Sequence, residues 1–593
     1  MHVLTRWDFA PTKGPLEWSP SPPETGKKMM QTAALLLTFV SLPLFPSQGE
    51  DVDVVLELVQ EDLRTSYDVI AYDFDWVVVP ESKTLEGRVT VTATTTRSME
   101  TLQLDSKELL EIIGVTEGEE AREFEREEAT LRVHMGRELG EGEEFTVCVQ
   151  YKGSPTAKNN FDGFHWAETE SGAPWVNTSC QGTGSHAWWP GKASYYHPDD
   201  KPERVSANIT VPADLYAVTN GRLTGTSTDW PEWAEVREGD WKTFSWQHNY
   251  PLETYTVTLN VAPYVVVEQD LEVLGHEDTV PFIYYVLPEN AEKAAVQFTQ
   301  VPKLIEVYSK AFGPWPFPDS KIALVETNFW GMEHSTAVAY GSSYPAWCEA
   351  NEAHDPYARR NTEFDYILIH EMAHEWWGNA VSTDHWGNFW IHEGFGTYAE
   401  GVWLEFTEGL EAADAFFARK LRGMPKRGAV YRGDHPASGD AYTGLIYSKG
   451  SAVLHHLRHC VNDDDVWWET LIGFNTTYRY KNAGTDEFQA LLEANTGREW
   501  GQFFDEWVFG EGAPRLNGDV QANGAMLHVD VTMEGDFHLP LDVTWTEGGE
   551  AKSHRFELVE GANALKLECS ATPTDIAVPH IGRLPGRHKV EAH

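Results

Sequence analysis

From Asp51 to about Pro263 apolar and polar residues alternate with a period of two, as in Gly87-Arg88-Val89-Thr90-Val91-Thr92-Ala93-Thr94 and Glu144-Phe145-Thr146-Val147-Cys148-Val149-Gln150-Tyr151. Gly and Pro turns separate these runs, so the pattern predicts half-buried strands and a β-rich first domain. Beyond Pro281 the period lengthens. Asn290 to Phe312 is an amphipathic helical stretch closed by Gly313-Pro314 and Pro316, and a strand-like Lys321-Ile322-Ala323-Leu324-Val325 follows it. A mostly helical domain then runs to about Gly510. After Gly512-Ala513-Pro514 alternation returns in Met526 to Met533 and Leu539 to Trp545, which predicts a small C-terminal β-sandwich. The fold class expected is therefore multidomain α+β. Its boundaries are a leader at 1–49, a β domain at 50–265, a helical domain at 266–511 and a sandwich at 512–593.

Composition narrows the function. With 593 residues, 41% of them hydrophobic, and 24 Trp, the chain has the length and apolar content for several cores. Its formal charge of −47 repels phosphate backbones and anionic membranes, which excludes nucleic-acid binding and suggests a salty medium that screens self-repulsion. Seven glutamates between Glu117 and Glu128 read as a solvated loop or strand edge. The longest apolar stretch, Ala33 to Phe45, contains Pro43 and is too short to span a bilayer, so stable membrane insertion is not expected. Lys27 and Lys28 precede it, and Ser47-Gln48-Gly49 places small residues at the −3 and −1 positions of a cleavage site. The expectation is a signal peptide, a mature start near Glu50 and an exported, periplasmic or extracellular protein; Met29 and Met30 are alternative starts. Five cysteines without CxxC spacing imply neither a thiolate metal site nor a disulfide framework.

The chemistry concentrates in Tyr366 to Asn379, a stretch of good helix formers containing His370-Glu371-Met372-Ala373-His374. Two histidines at i and i+4 share one helical face and can reach a single ion. A third ligand is expected on the next helix, in Glu393 of Trp390-Ile391-His392-Glu393-Gly394, with 18 residues between it and His374. Two His and one Glu leave one open position, the pattern of a catalytic rather than a structural zinc site. A metzincin layout fails, because Trp377 and Ala380 stand where that class needs Gly and His. Glu371, beside the first ligand, is placed to act as general base and acid toward a water that the ion acidifies. His455, His456 and His459 form a second histidine cluster, which reads as surface, and Asp463-Asp464-Asp465 read as charges at a helix N-terminus.

With these motifs the chain resembles the gluzincin aminopeptidase family, which includes aminopeptidase N and the leukotriene-epoxide hydrolase. The residues that carry the resemblance are HEMAHEWWGN from His370, WIHEGFGTYAE from Trp390, GMEH from Gly331 and YSKG from Tyr447. Weaker echoes are Phe312-Gly313-Pro314-Trp315-Pro316-Phe317-Pro318 and Trp507-Val508-Phe509-Gly510. The resemblance implies a saddle-like β domain, a thermolysin-like catalytic domain and a β-sandwich, without the helical-repeat domain of many members. It implies one zinc ion per chain held by His370, His374 and Glu393, and hydrolysis of N-terminal residues from peptides. It further implies that Glu333, with Gly331 and Met332, binds the substrate and its free α-amine, joined by Gln181 from the β domain. Tyr447 is the implied oxyanion donor, with Tyr442 as its rival. Trp330 and His334 depart from the family pattern, and His334 reads equally as a donor in the site or as a packed residue. Two other functions share the same residues: epoxide hydrolysis at the zinc site, and zinc-dependent peptide binding without catalysis. Oligomeric state is left open.

Overall fold

Tyr67–Val79 buries Tyr72, Phe74, Trp76 and Val78 on one face, as its alternation requires. In the computed structural model, which describes residues 62–159, 162–341, 344–350, 364–423, 427–579, 583–584 and 586–593, this strand lies inside an eight-stranded sheet. It pairs antiparallel with Thr84–Thr95 and parallel with Arg204–Pro212. A three-stranded sheet, with Thr130–Leu139 between Met99–Asp105 and Phe124–Glu127, and a four-stranded sheet complete the β-rich region. Pro174–Ser179, in the four-stranded sheet, ends two residues before Gln181 and so delivers that side chain. The glutamate-rich segment lies on the short strands Glu120–Ala121 and Phe124–Glu127, where its acids are largely exposed. The proposed leader lies outside the described residues.

A five-stranded mixed sheet opens the next region, in the order Val265–Leu271, Val280–Val286, Ile322–Glu326, Val338–Tyr340 and Gly331–Met332. The expected strand near residues 321–325 is thus the third of these. The amphipathic stretch from Asn290 becomes two helices, Ala291–Gln297 and Val301–Phe312, separated by a 3-10 turn. Pro302 lies in the first turn of the second helix and has no N–H to continue the first. Among the described residues no helix is long and apolar enough to cross a membrane.

The helices that follow build the centre of the molecule: Tyr366–Ala373, Trp390–Glu408, Leu410–Gly423, Gly444–Val461 and Asp464–Tyr478. Asp463 caps the last of these by accepting the Val466 N–H at 3.2 Å, with Asp464 and Asp465 in its first turn, as expected. The second histidine cluster is not on the surface. His455, His456 and His459 are 2%, 0% and 5% exposed. Their flank of Gly444–Val461 is covered by distant segments: His455 meets Asp414 at 2.9 Å and stacks on Phe417, His456 lies against Trp507, and His459 faces Asp542. Acidic partners and aromatic rings supplied from far along the chain stand where the local pattern suggests solvent.

Residues from Arg515 onward form two sheets, one of four strands containing Arg515–Asn523 and Met526–Glu534 and one of three containing Leu539–Glu547. Leu527, Val529, Val531 and Met533 and, from the other sheet, Leu539, Leu541, Val543 and Trp545 join a common apolar core. Among the described residues no disulfide joins any of the five cysteines.

Candidate metal and peptide site

Asp365 starts the helix that carries the first two donors, its side chain accepting the Leu368 N–H. His370 lies on that helix and His374 ends it. Glu393 lies in the first turn of Trp390–Glu408, which returns beside them. The His370 and His374 Nε2 atoms are 3.2 Å apart, and Glu393 Oε2 is 3.3 Å from the first and 3.5 Å from the second. All three residues are buried.

These distances fit a metal. Nitrogen and oxygen ligands about 2.0–2.2 Å from a tetrahedral ion lie about 3.3–3.6 Å from one another. The protonation pattern fits as well. His374 Nδ1 is 2.8 Å from the Trp377 carbonyl, which can only accept, so Nδ1 carries the proton. His370 Nδ1 donates to Glu400 Oε1 at 2.9 Å. Both Nε2 lone pairs therefore face the same point, and both rings have the outer hydrogen-bond partner that metal-binding histidines require. Glu400 is itself paired with Lys420 at 3.1 Å.

The electrostatics favour a cation at that point. Burial alone would lower the histidines, but Glu393 and Glu400 raise His370 to about 10, and Glu393 raises His374 to about 9. Burial acts to raise Glu393, yet hydrogen bonds from His370 and His374 hold it well below the usual carboxylate range. Glu371 behaves differently: burial pushes it up to about 8, against the pull of His370 and with reinforcement from Glu333. Burial thus gives this carboxylate, beside the donor triad, a stronger hold on a proton than an exposed one has.

The strand Gly331–Met332 runs directly past this base. A Cβ on Gly331 would lie 2.7 Å from Glu371 Oε1 and 2.8 Å from Ile367 Cγ2, so only glycine lets the strand approach so closely. Met332 is buried, and Glu333 follows at 3% exposure. Glu333 Oε1 accepts from the Tyr255 hydroxyl at 3.0 Å and from Gln181 Nε2. Gln181 Oε1 in turn accepts from the Tyr442 hydroxyl, which also donates to Glu393 Oε1 at 3.2 Å. One chain of hydrogen bonds thus joins Glu333, Gln181, Tyr442 and Glu393. The backbone of Glu333 is held from the other side: Asn379 Nδ2 donates to its carbonyl at 3.0 Å, and Glu375 accepts the Thr336 N–H at 2.7 Å.

Tyr447 lies on Gly444–Val461, with its ring 6.1 Å from His370 and 5.9 Å from Tyr442. That helix comes close because Gly450 faces Gly394, where an added Cβ would stand 3.0 Å from the opposing Cα. Every residue expected at the site is therefore brought together. Tyr442 rather than Tyr447 makes the direct contact with Glu393 and Gln181. His334 is fully buried, and neither ring nitrogen has a hydrogen-bond partner among the described residues, which matches the packed-residue reading.

Three contributors were missed from sequence. Glu400 stands seven residues after Glu393, two turns along the same helical face, and that spacing could have revealed it. Asn379 ends the segment HEMAHEWWGN, whose spacing gives it no role. Tyr255, on the turn Thr254–Thr256, has no local signal, because its partner Glu333 is 78 residues away.

Known proteins resemble this chain in sequence and in fold. Residues 296–507 match the Peptidase family M1 domain. Aminopeptidase M1 of Arabidopsis thaliana is 24% identical over 389 residues, covering 61% of this chain and 41% of that protein. Glutamyl aminopeptidase of Rattus norvegicus is 21% identical over 378 residues, covering 60% and 38%. The chain thus spans less than half the length of these curated relatives. The M1 zinc metallopeptidase of Deinococcus radiodurans shares the fold with a TM-score of 0.59 at 23% identity, covering 75% of this chain and 93% of that one. A mutant of that enzyme bound to a Tyr-Ser-Ala substrate matches with a TM-score of 0.59 at 22% identity. The family match over residues 296–507, the fold shared with an M1 zinc metallopeptidase and the buried donor triad thus all fall on the same helical region of this chain.

Proposed function

We propose that the protein is a zinc aminopeptidase that removes residues from the free N-terminus of peptides. The observation that carries this reading is a buried carboxylate, Glu333, joined through Gln181 and Tyr442 to Glu393 of the donor triad. An ammonium paired with Glu333 would place the first peptide bond of a substrate beside Glu371 and the triad, so only chains that begin there fit. The relatives named as aminopeptidases and the peptide-bound neighbour support the same class of substrate.

Held by His370, His374 and Glu393, zinc would supply Lewis acidity toward the scissile carbonyl and acidify water. The chain's own residues do the rest. Glu371 takes the proton of the attacking water and delivers it to the leaving nitrogen. Tyr447 donates to the oxyanion, an effect worth about 2.7–4 kcal/mol for one such donor. Gln181 and Tyr255 hold Glu333, and Met332 lines the approach beside it.

In the same reading residues 50–265 form the saddle-like β domain, 266–511 the thermolysin-like catalytic domain and 512–593 the sandwich. Export follows from the leader pattern at residues 1–49, and sequencing the N-terminus of the secreted protein tests it. The function is tested with aminoacyl coumarin amides carrying free or acetylated amines, with and without a chelator. Turnover of the free-amine substrates that the chelator abolishes and excess zinc restores is the expected result. Equal hydrolysis of acetylated substrates, or full activity in chelator, would contradict it.

A further inference from the structure

The hydrogen bonds that reach Glu333 run in one direction. The Thr383 N–H donates to His392 Nε2 at 3.0 Å, so this nitrogen must offer a lone pair. A proton there would oppose the amide proton, and the ring's single N–H is therefore at Nδ1. His392 Nδ1 lies 3.4 Å from the Tyr255 hydroxyl oxygen and donates to it. The phenol's own proton is then free for Glu333 Oε1, 3.0 Å away. Thr383 and His392 are 0% exposed and Tyr255 is 1% exposed, so water does not compete for these bonds.

Both side-chain donors on Glu333, Tyr255 and Gln181, meet the same oxygen, Oε1. Among the described residues no other side chain donates to Oε2, which leaves that oxygen to accept an ammonium. Resting on the aminopeptidase reading above, we propose that His392 and Tyr255 are positioning residues that set free-amine specificity. They fix the tyrosine's proton toward Glu333 and so present Oε2 to the substrate. Neither residue touches the reacting bond. His392 neighbours a donor of the triad in sequence, but its two ring nitrogens bond Tyr255 and Thr383.

The test compares Tyr255→Phe, His392→Leu, His392→Asn and the Tyr255→Phe/His392→Leu double variant in the full chain, each checked for zinc content. Substrates are free and acetylated aminoacyl coumarin amides. A hydrogen bond to a charged group accounts for about a tenfold effect or more. Tyr255→Phe should therefore raise KM for free-amine substrates by about that factor and narrow the preference over acetylated ones, with kcat changed far less. His392→Leu should shift the same parameter, the double variant should fall short of the product of the two, and His392→Asn, which keeps an N–H donor, should recover most of the loss. A zinc-loaded Tyr255→Phe enzyme with unchanged KM and preference would overturn the proposal, as would a loss confined to kcat. If Tyr255→Phe does not fold, His392→Leu carries the same test: a raised KM supports the proposal, and an unchanged KM and preference overturn it. Absence of wild-type turnover on any free-amine substrate would instead sink the underlying function, which separates the two failures.

Discussion

Glu400 is the sharpest lever on the metal site that leaves its three donors in place. Its carboxylate is 1% exposed and accepts the His370 Nδ1–H at 2.9 Å, so little solvent screens its effect on that ring. Loss of such an outer partner typically weakens metal binding about 10- to 100-fold, or ~1.4–2.7 kcal/mol. Two features of the structure place the variants within that range. Glu400→Gln keeps an acceptor oxygen for His370, although it leaves Lys420, 3.1 Å from Glu400, without its carboxylate. Its expected cost is about tenfold in zinc affinity. Glu400→Leu removes the acceptor altogether, frees the ring to rotate or change tautomer, and should cost nearer 100-fold. Competition with a chelator of known zinc affinity reads the constant directly, and excess zinc should restore most of the turnover. If Glu400→Leu binds zinc as tightly as the wild type, the hydrogen bond does not orient His370 and the argument fails.

Other consequences can be checked alongside it. Glu371→Gln should retain zinc and fold normally but lose turnover; wild-type rates in this variant would remove Glu371 from the proton path. Tyr447→Phe should lower kcat by about 100-fold or more if its phenol serves the oxyanion, and Tyr442→Phe should act more on substrate binding through Gln181. A larger kcat defect in Tyr442→Phe would exchange their roles. His248 is 1% exposed, and burial lowers its pKa from 6.5 to about 3. The unfolded chain therefore binds the extra proton first as pH falls, so the contribution of His248 is complete above pH 6.5 and declines below it. Between pH 6.5 and 4.5 the loss should reach about 2 kcal/mol. Chemical denaturation across that window should show a flatter pH dependence for His248→Phe, and identical slopes would refute the assignment.

The sequence carried the local part of the site and little of the distant part. His370, Glu371 and His374 share one helix, and Glu393 is the next helix's first acidic residue, so short-range spacing was enough to place them. The strands of the first and last regions were legible because each buries one face and exposes the other. Contacts formed by folding were hidden. Tyr255 meets His392 across 137 residues, and no periodicity reports such a pairing. The same limit misplaced His455, His456 and His459: a polar stripe on a helix looks solvent-facing until Asp414, Asp542 and Trp507 arrive from elsewhere. The break between Ala291–Gln297 and Val301–Phe312 was smoothed over because the apolar positions stay nearly in phase across it, although Pro302 marks it.

The central claim is that two imidazoles and one carboxylate hold a single zinc ion on which turnover depends. Elemental analysis of the purified full chain, run beside His374→Ala and Glu393→Gln, tests it most directly. Close to one zinc per wild-type chain and substoichiometric zinc in both variants are expected, with activity following the metal content. Wild-type protein that hydrolyses peptides without bound metal, or variants that keep both zinc and activity, would contradict it.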